Sequence, residues 1–347
     1  MQESIVDYLT HNYKEEFDFG PACKLIGESK QILIAGHVSP DGDTIGSSLA
    51  LGRALRQLGK DVTVVFQDEA PDYLQFLPGY ELIVRPEDLA FAPDLLILVD
   101  CATLERTGDG WLEPYLQTAP LLIFDHHALR DENIKAVSLV EPRLAATAEL
   151  IYWFLEALGV EIDLDTARCL YTALCTDTGG FRFTNTKVHT FRIAAELLAK
   201  GINLEEMRVQ LFESRSLAHI KLMGAALTNM QSAEDNKLVW TSLDSETKAR
   251  LWALPGDTDS IAGQTMLAAG VKIGVFFNEK AEEGVVKISF RGRNGYNVGK
   301  LAAQFGGGGH YAASGCSIAG SLGEVMPRVL EAALEALREE EAARCRS

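Results

Sequence analysis

Short, nearly continuous apolar runs recur in the first half of the chain, and most of them end at an acidic or polar position. They cover residues 32–35, 61–66, 94–100 and 121–127, with a further candidate at 137–140. Such runs are typical of strands buried on both faces. The spacing of apolar residues predicts helices over 44–59, 146–158 and 166–176. Alternating strands and helices predict an α/β fold, with a parallel sheet and helices on both of its faces.

The second half of the chain has a different pattern. Residues 189–230 are helical in spacing throughout, and we interpret this region as a bridge between domains. Strands are predicted at 237–242, 271–277 and 285–291, and helices at 257–269 and 324–344. The turn at Gly284 predicts antiparallel pairing of the last two strands. We therefore predict a larger domain over 1–200, a helical linker over 201–232 and a smaller α/β domain with a mixed sheet over 233–347.

Composition and charge restrict the function classes. The 347 residues suffice for about two ordinary domains, and the chain is 47% hydrophobic and 23% charged, as in globular proteins. No apolar run is long enough to span a membrane, and the N-terminus lacks the pattern of a secretory signal, so we expect a cytoplasmic protein without membrane partners. A net charge of −17 argues against binding of long nucleic acid.

Six cysteines are spread along the chain without the spacing of a zinc site or a disulfide framework. They stand at positions 23, 101, 169, 175, 316 and 345. We expect these side chains to behave as small buried hydrophobes.

Acidic and imidazole side chains gather at the ends of the predicted strands and of one helix. They are His37, Asp41, Asp43, Asp100, Asp125, His126, His127 and Asp177. The carboxyl ends of parallel strands form one edge of a sheet, where ligands usually bind. Taken singly, a histidine there is more often a satisfied polar residue, and an aspartate a turn former or helix cap.

Taken together, these side chains favour a metal centre. Several carboxylates in one place would repel one another unless a cation compensated them. Oxygen ligands with imidazole and without thiolate favour Mn²⁺ or a similar ion. Four aspartates balance two divalent ions, and one carboxylate can bridge both, which supports two-metal phosphoryl transfer. Asp125 can hydrogen-bond to an imidazole that binds the metal instead of contacting the metal itself.

A cationic stripe and a glycine run mark the second domain. Period-2 alternation places Lys287, Ser289, Arg291 and Arg293 on one face of a strand and Val286, Ile288 and Phe290 on the other. Lys287 fits a solvated outer face, whereas the two arginines suit phosphate. Asn297 can cap a short helix that ends in four glycines and His310. The glycines are either a flexible helix stop or a backbone that binds phosphate.

These motifs resemble those of the DHH phosphoesterase superfamily. The matching positions in the first domain are His37, Asp41 and Asp43, then Asp100, then Asp125, His126 and His127, and finally Asp177. The resemblance implies two Mn²⁺ ions held by His37, Asp41, Asp43, Asp100, His126 and Asp177, with Asp100 bridging; Mg²⁺ or Co²⁺ are alternative ions. It also implies that His127 contacts the scissile phosphate, and that Asp100, Asp125 and His127 form the catalytic set.

The glycine run resembles the substrate loop of a DHHA1 domain. Gly307, Gly308, Gly309 and His310 precede an Ala-Ala-Ser-Gly stretch in which Ser314 departs from the usual Ala-Ala-Gly. A DHH domain followed by DHHA1 in a chain this short is similar to the nano-RNase and pAp-phosphatase group. The stretches around Arg182 and Arg215 also look typical of that group. Arg182, Arg291, Arg293 and the loop are the expected substrate-binding residues, and Arg215 equally suits a salt bridge.

The resemblance implies a hydrolase whose active site lies between the domains. Its substrates would be di- to penta-ribonucleotides, degraded to mononucleotides by a water activated between two ions, and 3′-phosphoadenosine 5′-phosphate (pAp), converted to AMP. Cyclic or linear dinucleotides are the alternative substrates, and a homodimer is compatible with the sequence. A RecJ-like exonuclease and a manganese pyrophosphatase fit less well. A nucleotide-sensing module without turnover is the alternative from another class.

Overall fold

The computed structural model describes residues 13–89, 91–128, 131, 133–254, 256–258, 260–293, 295–309 and 311–344. The chain divides into two compact units, Met1–Ser214 and Arg215–Ser347. The division falls inside the predicted linker at 201–232. Among the described residues, no helix is both long and apolar enough to cross a membrane.

The first unit contains a parallel sheet with helices between its strands. Its strands are β1 Gln31–Ala35, β2 Asp61–Val65, β3 Ile83–Val84, β4 Leu95–Val99, β5 Leu121–Asp125 and β6 Val137–Val140. Its helices are α1 Gly20–Glu28, α2 Gly42–Gln57, α3 Glu113–Leu116, α4 Thr147–Ala157, α5 Leu164–Asp177, α6 Val188–Leu198 and α7 Leu204–Arg208, which is followed by a π-helical turn at Val209–Glu213. The predicted α/β class is confirmed.

The strand order explains where the polar side chains meet. The six strands run in the order β3-β2-β1-β4-β5-β6, and every neighbouring pair is parallel. The strands β2 and β3 lie on one side of β1, and β4, β5 and β6 lie on its other side. The order in which successive strands are added across the sheet therefore reverses between β1 and β4, which are neighbours. In doubly wound sheets the crevice at this switch point is the usual ligand site. The segments that follow β1 and β4 carry His37 and Asp100.

Two cores cover the faces of the parallel sheet. Ile32 and Ile34 of β1 belong to the larger core, which includes apolar residues of α2, α4 and α5. Leu33 and Ala35, on the opposite face, belong to a smaller core that includes Leu112 and packs against Trp111 and Tyr115 around the short helix α3. This alternation explains why the strand appears as one continuous apolar run in the sequence.

Helices α2 and α5 pack closely because α2 carries glycine at the contact. A Cβ atom at Gly42 would lie 2.4–2.8 Å from side-chain atoms of Thr176, and one at Gly46 would lie 2.5 Å from the carbonyl oxygen of Cys169. Real Cβ atoms do not approach other atoms so closely. The two glycines thus allow the helix that carries Asp43 to lie directly against the helix that ends at Asp177.

The second unit contains a mixed sheet. Its strands are β7 Gln231–Ala233, β8 Leu238–Leu243, β9 Ile273–Lys280, β10 Val285–Gly292, β11 Gly308–Gly309 and β12 Ala313–Ala319. Its helices are α8 Leu217–Thr228, α9 Ser245–Arg250, α10 Ile261–Gln264, α11 Val298–Ala303 and α12 Leu322–Arg344. The order is β11-β12-β10-β9-β8-β7, and β8 pairs with β9 in parallel while the other pairs are antiparallel. The predicted mixed sheet is confirmed.

The predicted helix over 257–269 is wrong in extent. Among the described residues of this range, helical structure is confined to Ile261–Gln264. The Asp257 side chain accepts a hydrogen bond from the Ser216 hydroxyl (2.5 Å) and another from the backbone N–H of Leu254 (2.8 Å). These contacts hold the start of the segment in a turn, because side-chain acceptors of this kind compete with helical hydrogen bonding.

The cysteine prediction agrees with the described part of the chain. Cys101, Cys169, Cys175 and Cys316 are buried free thiols, and Cys23 is a half-buried one. Burial raises the pKa of the Cys101, Cys169 and Cys175 thiols to about 12. These three therefore stay protonated and unreactive near neutral pH. Cys345 lies outside the described residues.

Candidate active site

The segments that follow β1, β4 and β5 and the end of helix α5 bring the predicted ligand residues together. His126 lies at the centre. Its Nε2 atom is 3.3 Å from Asp177 Oδ2, 3.5 Å from Asp100 Oδ1 and 3.8 Å from Asp43 Oδ2. His37 Nε2 is 3.4 Å from Asp100 Oδ2 and 4.0 Å from Asp41 Oδ2. Side chains that are 140 positions apart in sequence thus meet at one edge of the sheet.

Three groups of these side chains could hold a metal ion. They are His37 with Asp41 and Asp100, Asp100 with His126 and His127, and Asp43 with His126 and Asp177. Within each group the donor atoms lie within 4.8 Å of one another. Asp100 belongs to two groups, and each of its oxygen atoms faces a different one.

Asp41 and Asp43 have different local roles. The Asp41 side chain caps helix α2, accepting hydrogen bonds from the backbone N–H groups of Asp43 (3.0 Å) and Thr44 (3.1 Å). This cap begins the helix at Gly42, two residues before its predicted start. Asp43 therefore lies in the first helical turn, fully buried. A carboxylate there is favoured by the helix dipole.

The backbone conformation of Asp100 is unusual. Its φ angle of 60° lies in the left-handed region, which residues other than glycine rarely adopt. The N–H group of Asp100 donates to the carbonyl oxygen of Phe124 in β5 (2.8 Å), and the side chain is 1% exposed. Such strain persists only where surrounding contacts hold it, and it is often found at functional sites.

The two histidines that face several carboxylates are oriented by backbone carbonyl oxygens. His37 Nδ1 lies 2.8 Å from the carbonyl oxygen of Val38, and His126 Nδ1 lies 3.3 Å from that of Leu144. A carbonyl oxygen only accepts hydrogen bonds, so Nδ1 is the donor in both rings. Each ring therefore directs its Nε2 atom toward the carboxylates, which is the orientation that a metal-binding histidine needs.

Asp125 does not belong to any of the three ligand groups. Its Oδ1 atom accepts the backbone N–H of His127 (3.0 Å) and lies 2.8 Å from Nδ1 of the same ring. This contact orients the His127 ring, and His127 Nδ1 also lies 3.4 Å from Asp100 Oδ1. The position of Asp125 is that of a residue which supports an imidazole.

The carboxylates of the cluster perturb one another. Burial, together with the charges of Asp100 and Asp177, raises the pKa of Asp43 well above its ordinary value. Burial also raises the pKa of Asp177 to about 7, aided by the charge of Asp41 and opposed by His126. Burial disfavours the charged form of His126, yet the charges of Asp100 and Asp177 raise its pKa to about 9. A divalent cation would relieve the same repulsion and release the protons.

Threonine side chains contact the cluster at positions that the sequence analysis missed. Thr44 Oγ1 donates to Asp100 Oδ2 (2.7 Å) and lies 2.6 Å from His37 Nε2. Thr147 Oγ1 donates to Asp100 Oδ1 (2.9 Å). Both threonines stand at helix starts, but a threonine there is ordinarily a cap, so the sequence offers no signal for these contacts.

The predicted substrate residue of the first unit is accessible. Arg182 is exposed, and its Nε atom donates to the carbonyl oxygen of Gly179 (2.6 Å), in the turn that follows Asp177. Asp177 at the helix end and this guanidinium in the following turn are therefore close in the chain. Arg215 is the first residue of the second unit and is exposed.

The second unit places Arg291 and the glycine run in one sheet. Arg291 pairs with Ala313 across β10 and β12, while Gly308 and Gly309 of β11 pair with Gly315 and Ser314. The predicted alternation in β10 is present, because Val286, Ile288 and Phe290 are buried and Lys287 is exposed. Burial lowers the pKa of the Arg291 guanidinium below its ordinary value. Arg293 Nη2 donates to the Met266 carbonyl oxygen (2.9 Å).

Part of the glycine run, Gly308–Gly309, forms an edge strand. A Cβ atom at Gly307 would lie 2.2 Å from the carbonyl oxygen of Gly315, and Gly309 has a φ angle of 135°. Gly308 has open space at the same position, so its backbone is accessible. Ser314 is buried, and its hydroxyl donates to the carbonyl oxygen of Val298 (2.6 Å). His310 lies outside the described residues.

Comparison with known proteins finds one domain family in each of the two units. The model of the DHH family, N-terminal domain, matches residues 31–174, and that of the DHHA1 domain matches residues 223–341. A "Bifunctional oligoribonuclease and PAP phosphatase NrnA" from Thermus thermophilus is 36% identical over 307 residues, covering 88% of this chain and 90% of the relative. The protein of the same name from Bacillus subtilis is 28% identical, covering 83% and 89%.

A solved structure agrees with this result. The crystal structure of an exopolyphosphatase-related protein from Bacteroides fragilis superimposes with a TM-score of 0.86 at 27% identity, covering 94% of this chain and 96% of that one. The resemblance of the motifs is thus accompanied by similarity along nearly the whole chain. The chain therefore belongs to the DHH phosphoesterase family, as a metal-dependent phosphoesterase in which a DHHA1 domain follows the DHH domain.

Proposed function

We propose that the protein is a Mn²⁺-dependent hydrolase of short phosphodiesters. Its substrates are di- to penta-ribonucleotides, which it degrades to mononucleotides, and pAp, which it converts to AMP. The observation that carries this proposal is the position of Asp100, whose two carboxylate oxygens face two different groups of ligand-type side chains. A carboxylate shared in this way is suited to bridge two ions. The relatives named above as oligoribonuclease and PAP phosphatase support the choice of substrates.

The donor set fits a pair of divalent cations. His37, Asp41, Asp43, Asp100, His126 and Asp177 would hold them. The two imidazoles already direct Nε2 toward the carboxylates, and no cysteine is within the three ligand groups of the described residues. Oxygen and imidazole ligands of this kind favour Mn²⁺, with Mg²⁺ or Co²⁺ as alternatives.

The chain's own residues orient the substrate and control protons. When bound, the paired cations supply Lewis acidity and lower the pKa of water, as in other two-metal phosphoesterases. His127, held by Asp125, would donate to an oxygen of the scissile phosphate. Thr44 and Thr147 hold the two oxygens of Asp100 in fixed directions. These contacts keep the Asp100 carboxylate from rotating, which preorganises the site.

We further propose that the second unit binds the part of the substrate away from the scissile bond. Arg291 forms no ion pair with a carboxylate among the described residues, and its Nη1 atom donates only to the carbonyl oxygen of Phe290 (2.9 Å). A half-buried guanidinium of this kind suits a phosphate or a terminal ribose-phosphate. Other groups would also bind the substrate. In the second unit they are Arg293, His310 and the backbone of Gly307, Gly308 and Gly309, and in the first unit Arg182.

Replacing Arg291 tests this role. Arg291→Ala should raise KM for a dinucleotide by about 10- to 100-fold, the usual effect of losing a hydrogen bond to a charged group, with a smaller change in kcat. Lys287→Ala is the matched control, since Lys287 lies on the same face of β10 but is exposed. Steady-state kinetics with pApA would measure both. Equal KM values for the two variants would exclude a role of Arg291 in substrate binding.

A panel of substrates separates the remaining candidates. With Mn²⁺, we expect AMP as the product from pAp, pApA and an oligoadenylate pentamer, as resolved by chromatography, and little cleavage of a long RNA strand. Cleavage of cyclic di-AMP without action on pAp would replace the proposal by a cyclic dinucleotide phosphodiesterase. Tight binding of these nucleotides without any product would favour a sensing module instead.

A further inference from the structure

A short segment after β6 supports three of the proposed metal ligands. We call residues 143–148 the support segment. The carbonyl oxygen of Leu144 accepts from His126 Nδ1 (3.3 Å), and the N–H groups of Thr147 (2.6 Å) and Ala148 (3.1 Å) donate to the carboxylate of Asp43. The Thr147 hydroxyl donates to Asp100, as described above. Displacement of this segment would therefore displace several ligands together.

Buried side chains hold the backbone of the support segment. Glu149 Oε2 accepts the N–H of Ala145 (2.8 Å), and His189 Nε2 lies 3.2 Å from the same carboxylate oxygen. The ammonium group of Lys187 donates to the carbonyl oxygen of Arg143. Glu149 and Lys187 are 0% and 2% exposed, so these polar contacts are shielded from bulk solvent. Buried polar groups are costly unless they are hydrogen-bonded, which keeps such contacts formed.

Asn185 differs from these residues because it contacts two parts of the site at once. Its Nδ2 atom donates to the carbonyl oxygen of Ala145 in the support segment (3.0 Å) and to that of Asp177 (3.1 Å). Both partners are carbonyl oxygens, so the amide must present its NH₂ group to them. Among the described residues, Asn185 Oδ1 accepts no hydrogen bond. The side chain therefore acts through its two donors.

The contact with Asp177 satisfies a group that the helix leaves without a partner. Asp177 is the last residue of helix α5, and the final carbonyl groups of a helix have no intrahelical donor. The chain turns at Gly179 and Gly180 directly afterwards, with φ angles of 57° and 70°. Asn185, which follows this turn, returns to bind the carbonyl of Asp177. One amide thereby links the helix end that carries a proposed ligand to the segment that supports the others.

We propose that Asn185 is a positioning residue for the metal centre, which sets the spacing between Asp177 and the ligands Asp43, Asp100 and His126. This inference rests on the proposed function for the presence of the metal. It concerns affinity for the cation more than the chemical step. Residues that orient ligands in this way change metal affinity or activity by about 10- to 100-fold when they are replaced.

Two variants of Asn185 test the inference. Asn185→Ala removes both donors, and Asn185→Asp keeps the side-chain volume while it replaces the NH₂ group by an oxygen that cannot donate when ionised. Both should weaken Mn²⁺ binding by about 10-fold or more, as measured from the EPR signal of free Mn²⁺ in titrations without substrate. Asn133→Ala is the matched control, since Asn133 is an exposed asparagine of the same unit. It should bind Mn²⁺ as the unaltered protein does.

The dependence of activity on Mn²⁺ gives a second measurement. For the Asn185 variants, we expect excess Mn²⁺ to restore a large part of kcat, with the half-saturating concentration raised as in the EPR titrations. A purely structural role would lower the melting temperature and leave the Mn²⁺ affinity of the folded variants unchanged, which would overturn the inference. If Asn185→Ala does not fold, the Mn²⁺ affinity of Asn185→Asp, which conserves the shape of the side chain, distinguishes the positioning role from a purely structural one.

Failure of the proposed function would look different. Unaltered protein that binds Mn²⁺ but hydrolyses none of the substrates would contradict the proposed activity, whereas weaker Mn²⁺ binding by the Asn185 variants would still support the positioning role. Unaltered protein that does not bind Mn²⁺ at all would overturn both.

Discussion

Asp100→Ala should reduce Mn²⁺-dependent hydrolysis by at least about 10²- to 10³-fold, the range observed when one preorganised electrostatic group is lost from an active site. The reason is the shared position of this side chain. One of its oxygens faces His37, and the other faces His126 and His127. Alanine at this position would remove a donor from two ligand groups at once. Rates of AMP release from pAp and pApA at saturating Mn²⁺ would measure the loss.

Asp177→Ala should have an effect of the same order, although it removes a donor from one group only. The fold should remain intact in both variants, because Asp100 follows β4 and Asp177 ends helix α5, so neither side chain lies in an apolar core of the first unit. Circular dichroism would verify this. Asp61→Ala, which changes an exposed aspartate at the start of β2, serves as the control and should retain full activity. Retained activity in Asp100→Ala or Asp177→Ala would overturn the ligand assignment.

Removal of divalent metal should abolish hydrolysis completely and reversibly. The Asp43 carboxylate is buried and that of Asp177 is half-buried near Asp100, and desolvation and repulsion from neighbouring carboxylates raise the pKa of both. A site of this kind cannot polarise a phosphoryl group without a cation. After treatment with EDTA and dialysis, we expect no turnover of pAp, and addition of Mn²⁺ should restore it.

Addition of Mn²⁺ to the metal-free protein should also stabilise the fold. A ligand that binds only the folded state adds about 2.7 kcal/mol at a concentration 100-fold above its Kd, so Mn²⁺ should raise the melting temperature by several degrees. Asp177→Ala should lose much of this increase. Elemental analysis that finds no divalent metal in fully active protein would contradict the proposal, as would activity that survives chelation.

The sequence by itself determined the elements and the chemistry of the site. Continuous apolar runs such as residues 95–99 can bury their side chains only when both faces of a strand are covered, so they predict a parallel sheet. In such a sheet, residues that follow the strands meet at one edge, which predicts the proximity of His37, Asp100 and His126. Residue type then indicates a cation, because clustered carboxylates repel one another in its absence.

Only the tertiary structure decided how these side chains are held. The contacts of Thr44 and Thr147 with Asp100, and of Asn185 with Asp177, join backbone and side-chain atoms from different elements. Periodicity and spacing describe which face of an element is apolar, and they contain no information on which polar atoms meet across elements. The shortened helix at Ile261–Gln264 has the same origin, since Asp257 contacts Ser216, which is 41 positions away in the chain.

The close contact of helices α2 and α5 could be predicted from the sequence only in part. Gly42 and Gly46 are visible in the sequence, but a glycine in a helical pattern indicates either a weak helix or a close approach. The structure shows a close approach of the two helices, because Thr176 and the backbone of Cys169 occupy the space that side chains at these glycines would need. Local patterns therefore determine the strands, helices and ligand types of this protein. The distances between its ligands depend on packing between segments distant in sequence, which only the three-dimensional structure contains.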